Sequence, residues 1–234
     1  MEKISLISAA YLPMDGMNEK GLAITTNMSY QGPGNEIIPT DLDNGKLNLT
    51  TTALSRFILD RAATVEEAVD LAKNISLHDD SGNSFHYFVA DASGKSAVMQ
   101  WTKGTDSTDT DGSDREFSVI YYDEENPFIP SKDYHIITNF ITLPDYYEED
   151  DIMAVDRFKI LKQGLEETNG IVKDEVKALD HLAEVAGNRD NKGEVFTAHS
   201  VVYNLSKKSL TLAAYENYED QVRVVWSMDS ELQE

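Results

Sequence analysis

Five histidines, an aspartate-rich run and scattered serines are the residues of this chain that could carry chemistry, and their spacing limits what that chemistry is. His78, His86, His135, His181 and His199 show no metal-ligand spacing of the H-E-x-x-H kind. His86 and His135 fall in strand-like runs, where an ordinary hydrogen-bonded role accounts for them. The run Asp106-Ser-Thr-Asp-Thr-Asp-Gly-Ser-Asp114 invites a calcium reading. An EF-hand loop with Gly112 at its sixth position would begin at Ser107 and end at Ser118, neither of which is a carboxylate. A solvated loop is the expectation. There is no G-x-S-x-G elbow, phosphate-binding glycine loop or dinucleotide fingerprint. The chain has no cysteine, which excludes a thiolate nucleophile, thiolate metal sites and disulfides drawn from these 234 residues. No metal and no cofactor is expected.

The elements that would have to position any site follow from periodicity. Residues 23–30 are β-like and follow the turn formers Asp15-Gly16 and Lys20-Gly21. Residues 32–45 read as a loop. Leu54, Phe57, Ile58 and Arg61 recur at helical spacing, and Thr64-Val-Glu-Glu67 has the form of a capping box opening a second helix. Two short runs, 85–90 and 96–101, flank Asp91-Ala-Ser-Gly94 and predict a β-hairpin. Residues 117–122 and 135–139 continue in β style. Helical spacing returns over 152–165 and 172–185, with the acids of 148–151 suited to the first helix N-terminus. A meander of three strands, 200–205, 209–214 and 222–226, closes the sequence. This order predicts an α+β fold of antiparallel sheets covered by helices, in one domain spanning residues 1–234.

Lys and Arg number 20 against 42 Asp and Glu, a formal charge of −22. Such a field repels phosphate backbones and anionic lipid, so neither nucleic acid nor membrane is an expected partner. No apolar run approaches the roughly 20 residues that cross a bilayer, no convincing signal peptide is present, and the cytoplasm is the default location.

One segment is distinctive. Asp15-Gly-Met-Asn-Glu-Lys-Gly-Leu-Ala-Ile24 resembles a stretch shared by choloylglycine (bile salt) hydrolases, penicillin V acylases and related linear-amide hydrolases. Further matches follow in family order: His86 through Val98 at the hairpin, Ile136-Ile-Thr-Asn139, Asp156-Arg-Phe158, and Thr197-Ala-His-Ser-Val-Val-Tyr203. The resemblance implies an N-terminal-nucleophile hydrolase, a four-layer αββα sandwich in which an N-terminal cysteine attacks an amide carbonyl with its own α-amine as base. It further implies that Asn27 and Asn139 supply oxyanion-binding carboxamides and that Arg157 orients the catalytic groups. Each also has a structural reading: Asn27 as a strand end, Asn139 as a turn cap, Arg157 as a partner for nearby acids.

In the family the nucleophile and a Gly-Arg-Asn-x-Asp stretch precede the segment matched here by Asp15–Ile24, and only fourteen residues precede Asp15. The expectation is an N-terminally truncated member. It would be inactive alone toward acyl amides such as bile-salt conjugates or penicillin V, or would serve as a binding or assembly protein on that scaffold. Its expected partners are a small acyl amide and either further copies of itself or a complementing N-terminal fragment.

Overall fold

The computed structural model describes residues 12–29, 44–78, 84–102, 115–129, 131–146, 154–187 and 196–225. In chain order the elements are β1 (Asp15–Met17), β2 (Ala23–Met28), β3 (Leu47–Thr50), α1 (Thr51–Leu59), α2 (Val65–Ala72), β4 (Ile75–His78), β5 (Phe85–Ala90), β6 (Ser96–Thr102) and β7 (Glu116–Tyr121). They are followed by α3 (Val155–Glu167), α4 (Glu175–Glu184), β8 (His199–Asn204), β9 (Ser209–Ala214) and β10 (Val222–Val225).

The main sheet is antiparallel, in the order β1-β2-β5-β6-β7. Side chains alternate across it, as the two-residue period of a strand requires. One face carries Ile24, Tyr87, Val89, Ala97, Met99 and Trp101, and these pack with Leu54 and Ile58 of α1 and Val65, Ala68, Val69 and Ala72 of α2. Burying a Leu or Ile side chain fully stabilises by about 1.5–3 kcal/mol, so this core holds the two helices on the sheet. The helix start is capped: Thr64 Oγ1 accepts from Glu67 N at 3.2 Å, and Glu67 Oε2 reaches one residue past the cap to accept from Ala63 N at 2.7 Å. Asp91, in the β5–β6 hairpin, adds a carboxylate at the same helix start, accepting from Val65 N at 2.9 Å.

The opposite face is more polar. By register it presents Thr25, Asn27, His86, Phe88, Val98 and Gln100. A second sheet, β10-β9-β8, packs with α4 through β8 and β9, with Leu179 fully buried. The two sheets are clasped where Asp15 of β1 meets His199 and Tyr203 of β8. Helix α3 is seated through Phe158 in an aromatic cluster, 5.5 Å from Phe140, which is 5.0 Å from Phe128.

Three sequence expectations need correction. Asp15-Gly16, read as a turn, belongs to an edge strand. β3 and β4 pair in parallel, because α1 and α2 intervene and return the chain in the same direction. Residues 135–139 do not form a strand, and the Thr138 carbonyl is taken by the His86 side chain of the main sheet. The segments 106–114 and 148–151, and most of 32–45, lie outside the described residues. Among those that are described, no helix is long and apolar enough to cross a membrane.

Candidate functional site

The three residues singled out by resemblance come from distant parts of the chain. Asn27 lies near the end of β2, Asn139 in the irregular segment after β7, and Arg157 in the first turn of α3. The fold brings Asn139 against the end of β2 and Arg157 against Asn139. Asn139 Nδ2 donates to the Met28 carbonyl at 2.7 Å, and Arg157 Nη2 donates to Asn139 Oδ1 in a short hydrogen bond. The two contacts fix which way the carboxamide faces, because a guanidinium only donates and a carbonyl only accepts. One hydrogen of the amide is spent on Met28.

Asn27 sits one residue from that contact, on the sheet face opposite the α1–α2 core. Its Nδ2 reaches Thr25 Oγ1 at 3.4 Å, the long limit of a hydrogen bond, so its amide is weakly held. It lines a mainly apolar cavity of about 310 Å³, bounded by Phe88, His135, Ile137, Leu161, Leu165 and Leu182 among others. That volume is at the lower end of the roughly 300–1,000 Å³ typical of small-molecule sites. Burial pushes His135 down to about 4, so at neutral pH the cavity wall carries an uncharged imidazole. A larger groove, about 390 Å³, opens beside Glu175, Asn204 and Lys207, but none of the three candidate residues lines it.

His86, expected to be an ordinary hydrogen-bonded histidine, is fully buried and bonds through Nε2 to the Thr138 carbonyl at 2.7 Å. That carbonyl precedes Asn139 in the chain. Burial pushes His86 down to about 4 despite the Thr138 hydrogen bond. With Nε2 donating, its Nδ1 is the acceptor end of the ring.

The most distinctive sequence segment is largely structural. Asn18 is buried, and its Oδ1 accepts from Lys20 N and Leu22 N at 3.0 and 3.1 Å. Its Nδ2 donates to the carbonyls of Leu59 and Ala62 at 2.9 and 2.7 Å. One side chain therefore closes the β1–β2 turn and pins it to the end of α1. Asp15 holds β8, as described above. Nothing in the local pattern reveals either partner, since both lie more than forty residues away. Among the described residues no group of three His, Asp or Glu side chains is arranged to hold a metal ion.

Residues 13–219 match the family model described as acyl-coenzyme A:6-aminopenicillanic acid acyl-transferase. The chain belongs to this acyl-transferase family. Family membership covers both ends of the site, from the β1–β2 hairpin through Asn139 and Arg157 to β9. Solved structures share the family chain's fold. A conjugated bile acid hydrolase from Clostridium perfringens superposes with a TM-score of 0.65 at 18% identity, covering 91% of this chain and 72% of that one. Penicillin V acylase from Agrobacterium tumefaciens gives 0.56 at 20% identity, covering 86% of this chain and 62% of that one. At these identities the likeness is one of fold, the αββα architecture of N-terminal-nucleophile hydrolases. An uncharacterized protein of Paramecium bursaria Chlorella virus 1 is 32% identical over 93 residues, 37% of this chain and 32% of that one. The match therefore spans about a third of that curated relative's length. This acyl-transferase family member thus has an amide-hydrolase-like scaffold, and its 234 residues contain no cysteine.

Proposed function

We propose that this chain supplies the oxyanion-binding and acyl-binding half of an amide C–N acyl-transfer site and does not cleave amides by itself. The observation that carries the reading is the fixed carboxamide of Asn139, held at one end by Arg157 and at the other by the Met28 carbonyl. In the scheme, an acyl amide places its apolar acyl group in the cavity beside Asn27 and its carbonyl oxygen toward the carboxamides of Asn27 and Asn139. Attack on the carbonyl carbon moves charge to that oxygen, and donors already in place stabilise it without reorganising. The attacking thiolate has to come from outside these 234 residues, because they hold no cysteine.

The test is hydrolysis of a chromogenic acyl amide by the chain alone and with a separately made segment that begins with cysteine. The reading expects no turnover alone and turnover in the complex. A well-folded complex without turnover would overturn it. A second reading, a binding protein without chemistry, is favoured by the mainly apolar cavity and the missing thiol. Calorimetry of the isolated chain with bile-salt conjugates, penicillin V and simple acyl amides checks it. Silence across all three classes would remove it.

A further inference from the structure

His86 and Gln100 stand directly opposite each other on β5 and β6, and both are fully buried. Withdrawing an imidazole and a carboxamide from water into the middle of a sheet costs free energy unless their polar atoms are used. One polar atom of each is used, on one target, while His86 Nδ1 and Gln100 Nε2 stay without a hydrogen bond among the described residues. His86 Nε2 donates to Thr138 O at 2.7 Å, while Gln100 Oε1 accepts from Thr142 N at 3.0 Å. The two bonds bracket residues 139–141. Within this stretch Phe140 forms only an isolated bridge, and side chains of the sheet hold its two ends.

The Thr138 carbonyl is part of the peptide unit that carries the Asn139 nitrogen. Peptide planarity means that fixing this oxygen fixes the direction in which Asn139 leaves the plane. Thr138 Oγ1 also donates to the Ala154 carbonyl at 3.2 Å, at the start of the helix that carries Arg157. The imidazole, the segment and α3 are thus joined in sequence by hydrogen bonds.

We propose that His86 and Gln100 are positioning residues that set the orientation of the Asn139 carboxamide through the backbone of Thr138 and Thr142. The functional meaning rests on the reading of Asn139 as an oxyanion donor, but the positioning itself is measurable without substrate. It also accounts for a polar pair where two apolar side chains would fill the same space without the desolvation cost.

The experiment is NMR of the full chain labelled with ¹⁵N-asparagine, with the Asn139 side-chain amide assigned by its loss in Asn139→Asp. In His86→Leu, which keeps bulk and removes the donor, exchange of the Asn139 amide with solvent rises by about tenfold or more and its two protons lose their shift separation. Asn18, held by carbonyls in the opposite core, keeps its signals and serves as the control. His86→Gln, whose Nε2 can reach the same carbonyl, restores the wild-type pattern, and Gln100→Met disturbs it from the Thr142 side. If His86→Leu does not fold, the contrast between His86→Gln and Gln100→Met carries the test. Folded Gln100→Met and His86→Leu, or Gln100→Met alone, with unchanged Asn139 signals would overturn the proposal. Complemented hydrolysis that is absent while these amide effects are present would count against the functional reading and leave the positioning intact.

Discussion

Arg157 on α3 holds the side-chain oxygen of Asn139, eighteen residues earlier, so that the amide nitrogen is turned to the Met28 carbonyl. The relationship makes the two residues separable by mutation. Asn139→Asp keeps an acceptor for Arg157 but replaces the donor facing Met28 with an oxygen. Unfolding midpoints should change little, because a new charge pair offsets the lost bond. In the complemented hydrolysis assay, kcat should fall by about 10²–10³, the usual consequence of removing one oxyanion donor. Retained kcat in Asn139→Asp would take Asn139 out of the site.

His86 makes stability depend on acidity. Its folded value, about 4, lies below the ordinary imidazole value, so between the two the unfolded chain binds more protons. The contribution is present above about pH 6.5 and is lost as pH falls toward 4, by about 3 kcal/mol in all for this fully buried ring. His135 pulls in the same direction. Urea unfolding from pH 7 to 4 should show the loss in wild type and a smaller one in His86→Gln.

The clasp between β1 and β8 has the opposite dependence at its basic end. His199 Nε2 is 2.7 Å from Asp15 Oδ2, and this hydrogen bond raises the histidine against the lowering effect of burial. Asp15 is lowered: burial alone would raise it, but hydrogen bonds from His199 and Tyr203 and the histidine charge outweigh burial. A raised histidine stabilises below its unfolded value and loses that as pH rises through the folded one. A lowered carboxylate stabilises above its unfolded value and loses that as pH falls. The pair therefore contributes most between about pH 4 and 6.5. His199 is close to half exposed, so the effect is at most about 1 kcal/mol. The stability gap between wild type and His199→Gln should be widest near pH 5 and narrow above pH 7.

Gly21 joins the two sheets by close approach. Its φ is +83°, and a Cβ there would lie 2.7 Å from the Leu205 carbonyl oxygen, a backbone atom that cannot rotate away. Gly21→Ala should cost more than the roughly 1–2 kcal/mol of the left-handed conformation alone, read as a lowered urea midpoint. A cost under 1 kcal/mol would show that the β8–β9 connection yields readily.

The amphipathic spacing of Leu54 and Ile58, the Thr64–Glu67 box and the alternation around Asp91–Gly94 specified α1, α2 and the β5–β6 hairpin on their own, because local periodicity and capping are properties of neighbouring residues. Motif order also pointed to the family, the αββα fold and Asn27, Asn139 and Arg157 as a set. What tertiary structure alone decided is what those residues touch. Asn139 faces Met28 across 111 positions of sequence, Thr138 rests on His86 across 52, and Asp15 holds His199 across 184. No periodicity encodes such pairs. Residues 135–139 look like a strand in sequence, yet the Thr138 carbonyl is held by the buried His86 of the main sheet, a partner that exists only once the chain has packed.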